Sequence, residues 1–133
     1  MSRDLSRLEE LVKAVLPNVA EENFNLQTWQ DIDSEGSFTC CACGWAAHHV
    51  PFIVEGLGIQ EADVWSRKKY VFVYRTNISF YHGFTAVCAF FSLSLKDAHY
   101  LFDKKSYLLG SQTTSKEVIQ RVTKFINRSK NNE

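Results

Sequence analysis

Leu5, Leu8, Leu11, Val12, Val15 and Leu16 recur at three- and four-residue spacing, the pattern of an amphipathic helix with one apolar stripe. Ser2 or Asp4 can cap it, and Pro17 closes it. Residues 21–29 predict a short turn and an extended piece anchored by Phe24, Leu26 and Trp29. The acidic stretch 31–37, with Ser34-Glu35-Gly36, predicts an exposed loop. From 39 to 49 the residues are small and apolar with no charged face, which predicts a short helix buried on most sides and ended by Pro51. Residues 53–69, with Gly56 and Gly58, predict a turn of helix and a long loop.

Lys69-Tyr70-Val71-Phe72-Val73-Tyr74-Arg75-Thr76 is the one strongly β-prone run. Its hairpin partner is expected at 78–81, across Thr76-Asn77. Gly83 precedes a helix bearing Phe84, Val87, Cys88, Phe90 and Phe91. Ser92-Leu93-Ser94 turns into a second one bearing Leu95, Ala98, Leu101 and Phe102, with Ser94 and Asp97 in a capping-box arrangement. After a loop at 107–112, Thr113 or Thr114 caps a last helix with Val118, Ile119, Val122, Phe125 and Ile126 on its stripe, and the tail frays from about 129. These elements predict a mainly α fold, a single compact domain over 1–133 of about five helices with a minor β-hairpin, packed around the helix at 41–49.

Composition adds that the core is built of large rings, because 14% of the residues are aromatic. No window approaches the ~18 to 20 apolar residues of a membrane span, and the N-terminus has no apolar run. A cytoplasmic protein with reduced thiols and no membrane partner is therefore expected. The net charge is zero but unevenly placed. Asp4, Glu9, Glu10, Glu21, Glu22, Asp31, Asp33 and Glu35 crowd the start, while Lys104, Lys105, Lys116, Arg121, Lys124, Arg128 and Lys130 crowd the end. Either the two ends attract one another within the fold, or one of them steers a charged partner.

Candidate chemistry concentrates in Cys40-Cys41-Ala42-Cys43-Gly44-Trp45-Ala46-Ala47-His48-His49. Cys40, Cys43 and His48 or His49 have the spacing of half a zinc site, to be completed by Cys88, His82 or His99. Free cysteine is also among the most buried residue types, and a packed helix is the reading favoured here, with no cofactor or metal. Cys40 is the best placed nucleophile, near the expected helix start, with a histidine as base. Residues 84–102 can be read as a helix-turn-helix, although a plain αα-hairpin is the reading favoured, since Lys96, Asp97, His99 and Tyr100 suit base edges poorly. Arg67-Lys68-Lys69-Tyr70 with Phe72, Tyr74 and Arg75 interleaves bases and aromatics, so nucleic acid is a possible partner. Trp45, His48, His49, Phe52, Trp65, Tyr70, Phe80 and Tyr81 either line a binding pocket or belong to the core.

Phe24-Asn25-Leu26-Gln27-Thr28-Trp29, Cys41-Ala42-Cys43-Gly44-Trp45-Ala46, Phe90-Phe91-Ser92-Leu93-Ser94 with Ala98 to Phe102, and the last helix with Arg121-Val122 occur in the order seen in a group of uncharacterised small bacterial and phage proteins. The chain resembles that group over nearly its whole length. Members often carry a Cys-Gly-Thr before the shared cysteine, where this chain has Gly36-Ser37-Phe38; Cys40 and Cys43 are extra thiols beside the matched Cys41. The resemblance implies a shared fold and a phage or prophage origin, and no known activity. The expectation is a non-enzymatic accessory protein that binds a host protein or a small ligand, in a host-takeover or anti-defence role. A nucleic-acid binder using 84–102 and the basic last helix is the alternative, and a cysteine-dependent enzyme comes third.

Overall fold

A computed structural model describes residues 4–65 and 67–131. Among them are six α-helices and two antiparallel sheets of two and three strands, so the fold is mixed α/β and not mainly α with a minor hairpin. The correction comes from residues 53–69. Where a long loop is expected, β3 (Leu57–Val64) pairs along its whole length with β4 (Arg67–Arg75). Gly58, Glu61 and Asp63 give β3 little strand preference of its own. Its pairing places Ile59 opposite Phe72 and Leu57 opposite Tyr74, and that tertiary gain overrides local preference. The third strand, β5 (Phe80–His82), pairs with β4 through Tyr74 and Tyr81, close to the expected partner at 78–81.

The first apolar run forms α1 (Ser6–Glu10), then a wider π turn over Leu11–Val15 and a tight 3-10 turn over Leu16–Asn18. It is not one α-helix: the pattern changes at Leu11, and Pro17, with no N–H to donate, sits in the closing 3-10 turn. Asp4 accepts from the Ser6 backbone N–H at 3.0 Å, whereas Ser2, the other expected cap, lies outside the described residues. The acidic loop is the turn of a small hairpin between β1 (Asp31–Ile32) and β2 (Phe38–Thr39). There Asp33 Oδ1 accepts from the Glu35 and Ser37 N–H groups, both at 2.9 Å.

The expected helix at 39–49 is α2 (Ala42–Ala46), capped by Cys41. Pro51 does not end it, since α2 stops at Ala46; Pro51 sits in the first turn of a further helix, α3 (Val50–Val54), where a missing N–H is no loss. α4 (Gly83–Phe91) and α5 (Leu95–Phe102) follow, separated by Ser92 in the left-handed conformation. Ser94 Oγ accepts from the Asp97 N–H at 3.1 Å, as the capping pattern predicts. Thr114 and Glu117 make the reciprocal capping box of α6 (Ser115–Asn131). α6 runs past the expected fraying point at 129, where Lys130 meets Glu9 at 2.9 Å.

Phe52, Phe72, Phe90 and Phe91 are fully buried and bring α3, β4 and α4 together. Phe52 meets Phe90 edge-on at 4.9 Å, and Tyr74 meets it at 5.1 Å. Arg7 closes the cluster. Its guanidinium lies 4.2 Å over the Phe90 ring, donates to the Phe90 carbonyl at 2.8 Å and pairs with Glu55 at 2.6 Å.

α2 packs through its small residues. A Cβ at Gly44 would stand 1.8 Å from the Trp29 carbonyl oxygen, whereas one at Gly58 would find only Val73 Cγ2 at 3.9 Å. Gly44→Ala is therefore expected to lower stability by about 2 kcal/mol or more through overpacking. Gly58→Ala is expected to change it by less than ~0.5 kcal/mol. Urea denaturation of both variants checks the contrast.

Candidate functional site

The β3–β4 hairpin leaves an apolar surface on which two open clefts meet. One, of about 750 Å³, is lined by Ile53, Val54, Leu57, Ile59, Val73 and Phe80 among others. The other, of about 520 Å³, lies between the hairpin and the β1–β2 unit and is lined by Ile32, Phe38, His48, Ile53, Ile59 and Tyr70 among others. Ile53, Leu57 and Ile59 belong to both. Ile32, Phe38, Ile53, Val54 and Phe80 are all exposed, although an apolar patch of this kind is unusual on a monomer. Trp65 stands at the hairpin tip, 94% exposed and at φ 54°, a backbone conformation that bulky residues rarely adopt.

β3 is also an edge strand, since β4 is its one strand neighbour among the described residues. The Arg75 N–H bonds the Gly56 carbonyl at 2.9 Å. With the alternation of an antiparallel ladder, this turns the backbone N–H and C=O of Ile59 and Glu61 away from β4. No lysine, proline or bulge of β3 blocks this edge in the way natural edges are commonly blocked.

The eight expected binding residues do not form one pocket. Trp45, His48 and His49 share a cleft of about 370 Å³ beside Val15, Asn18 and Asn23. Trp45 Nε1 donates to the Asn23 carbonyl at 2.9 Å, and His49 Nε2 meets Glu10 Oε2 at 2.7 Å. Phe52, at 1% exposure, belongs to the core. Tyr70 and Phe80 lie on the hairpin surface, one in each cleft. Tyr81 stacks on Tyr74 at 6.1 Å, and Trp65 stands apart from the other seven at the tip. Ile32, Phe38, Ile53, Val54 and Ile59 were not anticipated. The signal was the apolar pair Ile53-Val54 followed by Leu57 and Ile59 at strand spacing.

His48 Nε2 donates to Gln30 Oε1 at 2.6 Å, with Phe38 and Trp45 rings at 4.9 and 5.6 Å. Burial holds its imidazole below the ordinary value.

The thiols are interior groups. Cys40, Cys41 and Cys43 are buried and Cys88 is half-buried. Burial, with Cys41 and Asp31 nearby, pushes Cys40 up to about 12, which removes it as the expected nucleophile. The helix cap is Cys41 instead, whose Sγ accepts from the Gly44 N–H at 3.4 Å. Burial works against its thiolate, but hydrogen bonds from the Cys43 thiol and the local backbone outweigh it and lower its pKa, while burial and that same bond push Cys43 well up. Cys41 borders a cavity of about 170 Å³ with Trp29, Phe84 and Asp103. The nearby His99 imidazole is committed to Asp103 Oδ2 at 2.8 Å, and no hydrogen bond joins a thiol to a histidine among the described residues. Nor do three His, Cys, Asp or Glu side chains among them come close enough to hold a metal ion; Cys40, Cys43 and His48 do not converge with His82, Cys88 or His99.

No protein-family description, curated protein or solved structure matches the chain.

Two measurements follow from these environments. Iodoacetamide at pH ~7.5 is expected to label Cys88 first in the native protein, with the other three thiols labelled only on unfolding; peptide mapping reads the order. Because burial places the folded-state pKa of His48 below its unfolded value of about 6.5, the stability carried by the neutral ring is complete above that pH and is lost as pH falls toward the folded value. The urea midpoint should fall between pH ~7.5 and ~5.5, and fall less in His48→Gln.

Proposed function

We propose that the chain is a non-enzymatic binding protein that docks an extended segment of a partner protein along β3. The observation that carries this reading is the unpaired edge of β3 together with the largely apolar cleft between β3 and the β1–β2 unit. In strand addition the backbone supplies affinity and pockets beside the strand take alternate side chains. Ile32, Phe38 and Ile59 line such a pocket, and Trp65, exposed at the hairpin tip, offers an aromatic anchor at the end of the track. The resemblance to small phage proteins supports a host protein as the partner, a phage or prophage origin, and a host-takeover or anti-defence role in the host cytoplasm. No helix among the described residues is long and apolar enough to cross a membrane.

Glu61→Pro tests this reading. Position 61 does not donate to the β3–β4 ladder, so proline removes an outward N–H and keeps the hairpin. The tagged wild-type protein is expected to retain a stoichiometric protein from a bacterial lysate. Glu61→Pro and Trp65→Ala are expected to lose it at least tenfold while their circular dichroism is unchanged. Equal retention by Glu61→Pro would exclude strand addition.

A further inference from the structure

The oppositely charged ends of the chain neutralise one another very little. Of the seven bases after residue 103, Lys130 is the one paired with an acid of the N-terminal group among the described residues. Three of the others share one surface. A groove of about 310 Å³ between α5 and α6 is lined by Tyr100 and Tyr107 on one side and by Arg121, Lys124 and Arg128 on the other. Residues 121, 124 and 128 follow one face of α6 at spacings of about 4.5 and about 6 Å along its axis. The groove also holds one acid, Glu117, whose Oε1 accepts from the Thr114 N–H and hydroxyl, both at 3.2 Å, against the three bases.

Arg121 is held in place before any ligand arrives. Its Nη1 donates to the Tyr100 carbonyl at 2.9 Å, the Ser106 carbonyl at 3.0 Å and Ser106 Oγ at 3.1 Å. Its guanidinium lies 3.7 Å from the Tyr107 ring centroid and 4.5 Å from that of Tyr100. All these bonds use one nitrogen. Nε and Nη2 have no hydrogen-bond partner among the described residues, and neither do the exposed ends of Lys124 and Arg128. A fixed guanidinium with two spare donor nitrogens, followed by two exposed cations, is complementary to a row of phosphates. Tyr100, 44% exposed on the same groove, offers an aromatic surface for a base.

We infer that the α5–α6 groove binds single-stranded nucleic acid, with phosphates on Arg121, Lys124 and Arg128 and a base against Tyr100. The aromatic component favours a nucleotide over a plain acidic chain. This site is separate from the hairpin surface and stands or falls independently of it. It narrows the alternative reading, a nucleic-acid binder using 84–102 and the basic last helix, to one groove in which α6 supplies the cations and α5 the Tyr100 ring, in place of a helix-turn-helix.

Fluorescence anisotropy of a labelled 15-nucleotide oligothymidylate, titrated with the full chain, tests it. Three phosphate contacts predict a log–log salt slope of about −2 and hence a loss of affinity of about 20-fold between 50 and 200 mM salt. Lys124→Glu with Arg128→Glu should weaken binding at 50 mM salt at least tenfold and flatten the slope, while Tyr100→Ala should weaken it several-fold and leave the slope unchanged. These positions are exposed, and unchanged circular dichroism shows that the variants fold. No binding by the wild type at 50 mM salt, or equal binding by the double variant, overturns the inference. Equal affinity for a duplex of the same length removes the single-strand assignment, and competition by poly-glutamate as strong as by oligothymidylate assigns the groove to an acidic peptide instead.

Discussion

Arg7 is the contact on which the architecture turns. It is a cation from the first helix set against an aromatic ring, a backbone carbonyl and a carboxylate that belong to α4 and to the end of α3. Desolvation opposes its charge, but the bonds to Glu55 and Tyr74 more than compensate and raise its pKa further, so the guanidinium stays ionised. A partly buried cation of this kind is tolerated because each part of it has a partner. It fixes where α3 ends relative to Phe90, and the chain enters β3 within two residues of Glu55. The position of the hairpin, and with it both clefts, follows from that junction.

The second constraint is the close approach of α2 to the Trp29 backbone, which only a glycine at position 44 allows. The cysteines around it fill the space that remains. Burial raises Cys40 and Cys43, and the single thiol it fails to raise, Cys41, is spent on capping the helix. Reactive-looking residues are thus drawn into the interior, where packing decides their environment. The surface has two characters instead: apolar with a free strand edge along the hairpin, and basic with tyrosines between α5 and α6. The first suits a partner segment and the second a polyanion, and neither surface draws on the cysteine cluster.

Wherever a residue pattern is local, the sequence alone determined the outcome. The stripe from Leu5 to Leu16, the caps at Ser94 and Thr114, the strand around Phe72 and the burial of 40–47 follow from spacing, capping chemistry and side-chain size, which act within a few residues. Their boundaries moved, with Pro17 in a closing 3-10 turn and Pro51 in the first turn of α3. The candidate site was far less legible. Of the expected aromatics, Tyr70, Phe80 and Trp65 reach the hairpin surface, whereas Phe52 turned inward, because an aromatic residue carries no mark of which side of it the fold will cover.

Only the tertiary structure decided that 57–64 is a strand. Its residues have weak strand preference, and the decisive partners, Phe72 and Tyr74, lie more than ten residues away. The same holds for the charges. The sequence shows an acidic start and a basic end, but whether they neutralise depends on which helices meet. Among the described residues Lys130 is the base of α6 that pairs with an acid of α1, while Arg121, Lys124 and Arg128 line a groove with Tyr100 and Tyr107. Electrostatic and strand-pairing energies are set by distances between remote residues, and those distances exist only once the chain has folded.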